Sequence, residues 1–260
     1  RHTGRFCRWL LGDRLVPEAC DHQVVPTIRD LPPLLRRTCC DPADCWRPPA
    51  VGWASLLGFL LRTELTSPLQ AVLFDMDGTV ADTEPLWFEA ERSYVSQFNK
   101  SWGAEDSMDL VGGSAETTTL KLSKVTGSGE SHDEIFGYLV RYMINAIASG
   151  QAELRPGVSE LFADLKAMGV PVALVTSSVR PMVEAFLSRL PEGTFDAVVT
   201  ANDVENHKPD PEPYLRAAQL LGVDPAGCVV LEDSPSGIGS GLAAGARVVA
   251  IPCIVPLPAQ

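Results

Sequence analysis

Five short apolar runs, each closing near a polar residue and each separated from the next by a helix-like stretch, limit what this chain can fold into more than any other feature. They cover residues 69–75, 170–176, 195–200, 228–232 and 247–251. Runs of that length and composition suit strands buried on both faces, as in a parallel sheet. Between them, residues 158–168 start after Pro156-Gly157 and stop at Gly169, and residues 181–190 carry apolar side chains at i, i+3 and i+4. Asp210-Pro211-Glu212 combines a capping residue, a first-turn proline and a first-turn acid, and the helix it opens is expected to end at Leu221-Gly222. Ser234-Pro235 repeats the start signal, and Gly245 supplies a stop. The alternation predicts an α/β fold with a doubly wound, Rossmann-like parallel sheet whose ligand site lies at the carboxyl ends of the strands.

One stretch interrupts the pattern. Residues 84–152 lack strand runs, whereas Trp87, Ala90, Tyr94 and Phe98, then Ile135, Leu139, Tyr142 and Ala146, recur at helical spacing. They predict an inserted α-helical subdomain whose aromatics form its own core, ligand stacking being the other use for them. Gly127-Ser128-Gly129 is expected as a loop within it, and Asp82-Thr83-Glu84-Pro85 and Leu154-Arg155-Pro156-Gly157 as its hinges. The expected division is a core of residues 68–83 and 153–260, an insert of 84–152, and a leader of 1–67.

The leader has a different composition. It holds nine Arg, no Lys, seven acids, and five of the seven cysteines (Cys7, Cys20, Cys39, Cys40 and Cys45), and the first Met is Met76. With no sustained period, it is expected to be disordered or to come from a start set too far upstream. A zinc site is disfavoured because Cys39, Cys40 and Cys45 lack paired spacing and His22 stands alone. A secretion signal is disfavoured because the apolar run 51–61 is too short to span a bilayer and is followed by Arg62-Thr63-Glu64 in place of a small-residue cleavage site. Cytoplasmic location and reduced Cys228 and Cys253 are the expectation. The net charge of −12 argues against nucleic-acid or anionic-membrane partners, which need a basic face.

The chemistry gathers where the runs end. Asp75 and Asp77 flank Met76 after the first run, and residues i and i+2 of an extended chain point the same way, so their carboxylates are expected to face one small volume. Two acids so placed favour a bound cation or a shared proton, with one ionised and nucleophilic and the other a general acid. Glu232 and Asp233 close the fourth run, and Mg²⁺, which prefers hard oxygen ligands, would suit such a pair. Asp233 could equally cap the helix that follows. Lys208 sits between His207 and Pro209 in a stiff loop, where the bland alternative is a solvated ammonium; His207 is expected in solvent. Thr176 and Ser177 bring hydroxyls to the second run, unless they only shape a turn.

Taken in order, these elements resemble the haloacid dehalogenase-like phosphotransferase superfamily. Its four motifs are matched by Phe74-Asp75-Met76-Asp77-Gly78-Thr79, Leu174-Val175-Thr176, Lys208-Pro209 and Glu232-Asp233-Ser234, within a likeness that covers about residues 69–252. Glu232 to Ile238 is further similar to the branch of beta-phosphoglucomutase, phosphoglycolate phosphatase and sugar-phosphate phosphatases, in which the helical insert is a mobile cap.

The resemblance implies a Mg²⁺-dependent phosphatase of small phosphate monoesters that works through an aspartyl phosphate. Asp75 would be the nucleophile and Asp77 the general acid and base. Asp75, the Asp77 carbonyl and Asp233 would hold the metal, with Glu232 direct or through water. Thr176, Ser177 and Lys208 would bind the phosphoryl group, and Gly113 and Ser114 in the cap loop would contact the substrate. The partner expected is a small phosphorylated metabolite, for a monomer or dimer. A phosphomutase is the alternative, weakened because Gly112-Gly113-Ser114-Ala115 lacks the arginine of the mutase cap and Trp87 stands where the mutase has a histidine. A non-catalytic binding module on the same fold is the further alternative.

Overall fold

A computed structural model describes residues 68–110 and 114–251. The leader, including the run 51–61, as well as Gly113 and Cys253, lie outside the described residues. The central sheet is parallel. It is built from β1 (Ala71–Phe74), β4 (Val172–Val175), β5 (Ala197–Val199), β6 (Cys228–Glu232) and β7 (Arg247–Ala250), in the order β5-β4-β1-β6-β7. β1 lies in the middle, with Phe74 opposite Leu174 on one side and Leu231 on the other.

The period of two decides what each face buries. Val72, Phe74, Leu174 and Leu231 point to one cluster, against α5 (Val158–Ala167) and α6 (Arg180–Leu187). Leu73, Val175 and Val230 point to the other, where they meet Tyr214, Ala217 and Ala218 of α7 (Glu212–Leu221). α8 (Pro235–Ala243) packs beside α7 on β6 and β7. Phe74, Phe162 and Phe195 contact one another edge to face, Phe162 at 5.1 Å from Phe74 and 5.2 Å from Phe195 between centroids.

Four helices stand where the alternation breaks: α1 (Glu84–Ser96), α2 (Ala104–Met108), α3 (Ala115–Thr126) and α4 (His132–Ala148). The chain passes into and out of them through a two-stranded antiparallel ribbon, β2 (Ala81–Asp82) with β3 (Glu153–Leu154). Ala90, Tyr94, Ile135, Leu139 and Ala146 are buried, and they belong to the same apolar cluster as Phe74, because α4 packs on α6. The insert also holds a buried carboxylate, Glu91, which accepts hydrogen bonds from Trp102 Nε1 at 3.1 Å and Ser107 Oγ at 2.5 Å.

Two helix starts differ from the sequence pattern. α7 begins at Glu212 with Pro211 as its capping position; proline has no side-chain oxygen to accept a first-turn N–H, and Asp210 Oδ1 accepts from Glu212 N at 2.9 Å. α6 begins one residue earlier than the pattern, at Arg180, and ends at Leu187.

Candidate active site

A parallel sheet delivers the carboxyl ends of all its strands to one edge, and the residues just past β1, β4 and β6 meet there. Asp75 N donates to Leu231 O at 3.0 Å, which carries the ladder one residue past β1. The chain then turns sharply, with Val80 N and Ala81 N both donating to Met76 O at 2.9 Å. Gly78 has φ 78°, a conformation that suits glycine, and this lets the turn fold back over the sheet edge.

Lys208 reaches into this edge from the loop after β5. Its Nζ donates to Asp75 Oδ1 at 2.6 Å, Glu232 Oε1 at 2.7 Å and Val175 O at 2.9 Å, which uses all three ammonium protons. The side chain is 3% exposed, so this lysine is an interior cation and not a solvated one. His207, by contrast, is exposed.

Glu232 is wholly buried, and four donors fall on it. Lys208 Nζ and Tyr214 Oη (3.1 Å) donate to Oε1; Ser234 N and Ser234 Oγ, both at 2.9 Å, donate to Oε2. The first turn of α8 closes over it: a Cβ on Gly237 would lie 1.6 Å from Glu232 Oε1, so only glycine fits there. Ser234 caps α8 by accepting from Gly237 N at 3.0 Å, which takes the role Asp233 might have had. Asp233 instead accepts from Thr79 Oγ1 at 3.3 Å.

Oxygens of Asp75, Glu232 and Asp233 lie within 4.8 Å of one another. Burial, opposed in part by Lys208 and reinforced by Glu232, Asp233 and Asp77, pushes the Asp75 carboxyl well above the usual carboxylate range. Burial and the neighbouring Glu232 and Asp77 push Asp233 up to about 7, with Arg155 working the other way. Lys208 keeps its proton despite burial, because Asp75, Tyr214 and Glu232 surround it. One ammonium therefore does not balance the cluster. Hard oxygens of Asp75 and Asp233, short of positive charge, are the donor set that Mg²⁺ takes.

The Asp77 carboxylate points elsewhere. Thr83 Oγ1 donates to its Oδ1 at 2.7 Å, while Ser178 Oγ at 2.7 Å and Thr176 Oγ1 at 3.3 Å donate to Oδ2. Thr83 is the capping position of α1, so Asp77 is tied to the insert as well as to β4. Glu84, the first residue of α1, faces the same region; burial, followed by Asp77 and Asp233, pushes its carboxyl up to about 7.

Of the residues picked out in the sequence, Asp75, Asp77, Thr176, Lys208, Glu232 and Asp233 lie together at this edge. Ser177 is exposed beside it, and Ser114 caps α3 by accepting from Thr117 N at 3.2 Å. Thr79, named in the sequence only within its motif, and Thr83 and Glu84, named only as part of a hinge, also meet the site, as do Ser178 and Tyr214, which the sequence did not single out. A hydroxyl at Ser178, two residues past Thr176, and a tyrosine on the buried face of α7 were the available signals.

Comparison with known proteins points the same way. The profile of the haloacid dehalogenase-like hydrolase family matches residues 72–251. The chain is 38% identical over 197 residues to Protein CbbY of Rhodobacter capsulatus, covering 71% of this chain and 86% of that one. It is 36% identical over 183 residues to hexitol phosphatase A of Escherichia coli (strain K12), covering 69% and 81%. Among solved structures, a mutant of CbbY from Rhodobacter sphaeroides in complex with xylulose-1,5-bisphosphate superimposes with a TM-score of 0.63 at 27% identity, covering 71% of this chain and 86% of that chain.

Proposed function

Because the chain belongs to the haloacid dehalogenase-like hydrolases, matched over residues 72–251, we propose that it is a phosphatase that hydrolyses a small sugar or polyol phosphate through a phosphorylated Asp75. The observation that carries this reading is Lys208 buried between Asp75 and Glu232 at the carboxyl edge of the sheet, with Asp233 alongside. The phosphatase and bisphosphate named for the relatives support the substrate class.

In this reading an oxygen of Asp75 attacks phosphorus as the bond from phosphorus to the leaving oxygen breaks. The leaving oxygen keeps the electron pair and takes a proton from Asp77. Water then attacks phosphorus, Asp77 takes its proton, and the Asp75 carboxylate returns as inorganic phosphate leaves. Lys208 and the Thr176 hydroxyl stabilise charge on the phosphoryl oxygens. Asp75, the Asp77 carbonyl and Asp233 are the groups to hold Mg²⁺, which when bound supplies positive charge for an anionic substrate. Glu232 already carries four donors, so its part is to fix Lys208 and the start of α8. Asp77 must loosen from Thr83 to reach the leaving oxygen, and Thr83 is the last core residue before the insert, which acts as a cap of residues 84–152 over a core of 68–83 and 153–260.

Release of inorganic phosphate from para-nitrophenyl phosphate and from a panel of glycolate, pentose, hexose and hexitol phosphates, with and without Mg²⁺, tests the reading. Mg²⁺-dependent release that disappears in Asp75→Asn is expected. Turnover that survives in Asp75→Asn would sink it, and transfer of phosphate to a second sugar hydroxyl with little free phosphate would make the enzyme a mutase.

A further inference from the structure

Tyr214 is the largest wholly buried side chain on the side of the sheet where it packs, and packing alone does not call for its hydroxyl. It shares its apolar cluster with Ala217, Ala218, Leu73 and Val175, whose side chains offer a hydroxyl no partner. A buried hydroxyl without a partner costs free energy, and this one has a partner in the site: it donates to Glu232 Oε1 at 3.1 Å. The lysine ammonium also lies over the ring, 5.0 Å from its centroid.

Two donors therefore share one oxygen. Lys208 Nζ is at 2.7 Å from Glu232 Oε1 and 2.6 Å from Asp75 Oδ1, almost evenly placed between the two carboxylates. Glu232 cannot shift to suit a change of partner, because Ser234 holds its other oxygen and α8 closes on it at Gly237. If the tyrosine hydroxyl is removed, the charge it offset stays on Oε1, and the group free to respond is the lysine.

We infer that Tyr214 is a positioning residue: its hydroxyl offsets part of the Glu232 charge and its ring seats the Lys208 ammonium, so that Lys208 stays shared with Asp75, where the phosphoryl group arrives. This rests on the reading of Asp75 and Lys208 given above and adds to it a residue that does not touch substrate. Tyr214 acts on the transition state through Lys208, so its loss lowers kcat and leaves KM in place.

The test compares wild type, Tyr214→Phe and Tyr214→Leu. For Mg²⁺-dependent hydrolysis of para-nitrophenyl phosphate, Tyr214→Phe is expected to lower kcat by about tenfold, the scale of one hydrogen bond to a charged group, with KM and melting temperature near wild type. Tyr214→Leu, which also removes the ring, is expected to fall further. A Tyr214→Phe enzyme with the kcat of wild type overturns the inference, as does a loss that tracks melting temperature in both variants. A second measurement needs no turnover: the ¹⁵N-edited NMR signal of the Lys208 ammonium, assigned by its absence in Lys208→Met, is expected to shift and exchange faster with water in Tyr214→Phe. An unchanged signal overturns the inference even if kcat falls. A wild type inactive on every ester would end the phosphatase reading while the ammonium signal still decides whether Tyr214 positions Lys208.

Discussion

Glu91 of the cap and Glu232 of the sheet edge are both buried carboxylates on which donors converge, and the donors differ in kind. Glu91 takes neutral ones, the indole of Trp102 and the hydroxyl of Ser107, so α1 is stapled to the Trp102–Ser107 segment. Lys121, whose charge acts on Glu91, does not bond to it; it lies over the Trp102 ring at 5.3 Å from the centroid and donates to Asp106 O and Asp109. Burial accordingly lifts the Glu91 carboxyl above its usual range, against the pull of Ser107, Trp102 and Lys121. Glu232 takes an ammonium that it shares with a second carboxylate, Asp75. One arrangement closes on itself, and the other leaves a charged group shared with the proposed nucleophile, Asp75. The two acids therefore differ in the partner's charge and in what else that partner touches, since burial is common to both.

The contrast is tested most strongly by Lys208→Met. It leaves Asp75 and Glu232 buried without their cation, and turnover of para-nitrophenyl phosphate is expected to fall by about a thousandfold, in the range of losing a transition-state charge donor. A small loss would put Lys208 on the structural side of the comparison. Glu91→Ala works in the opposite sense. It leaves the Ser107 hydroxyl without its acceptor, while the Trp102 N–H keeps Ser107 Oγ at 2.7 Å; the expected cost is about 1–3 kcal/mol of stability in denaturant unfolding, with kcat near wild type. A large drop in kcat without loss of stability would erase the distinction.

Thr83→Val addresses the link between the two regions. Asp77 loses its 2.7 Å contact with the start of the cap, and a change in kcat of about three- to tenfold is expected, on the scale of one hydrogen bond to a carboxylate. The smallest effect is expected from pH without metal. Asp233 and Glu84 both sit at about 7 in the fold, above the usual range for carboxyls. The folded state thus binds more protons than the unfolded chain between roughly pH 4 and 7, so stability is greatest at the acid end and declines as pH rises through that window. Melting curves of the metal-free protein should lose on the order of several degrees from pH 5 to pH 8. Mg²⁺ should restore more of that at pH 8 than at pH 5. A metal-free melting point that rises across the same window would contradict the charge balance described for the site.

Much of this was legible in the chain because a parallel sheet turns sequence position into spatial position. Asp75, Thr176 and Glu232 each lie at or just past a strand end, and three strands that run the same way must bring such residues to one edge. Lys208 was visible only through its place in the motif order, since nothing local says that a loop lysine will be 3% exposed. Tyr214 carries no such motif signal in the sequence, because the acceptor of its hydroxyl, Glu232, lies 18 residues away and meets it only through the packing of α7 on the sheet. The pairing of Asp75 with Asp77 on one side of an extended chain was a weaker guide. The chain turns back at Gly78, and the two carboxylates take separate partners: Lys208 for one, the hydroxyls of Thr83, Thr176 and Ser178 for the other. Ser114 illustrates the same limit, because a serine before a helix can contact a ligand or cap the helix, and here it caps.

A bond from Asp75 to phosphorus is the step on which the proposed function turns. Mixing the protein and Mg²⁺ with para-nitrophenyl phosphate radiolabelled at phosphorus, quenching in acid within the first turnover and mapping the label by peptide tests it directly. Label is expected on the peptide that contains Asp75, stable in acid, released by hydroxylamine as an acyl phosphate is, and absent from Asp75→Asn. Phosphate release in the first turnover with no label on that peptide, or the same label in Asp75→Asn, would contradict it.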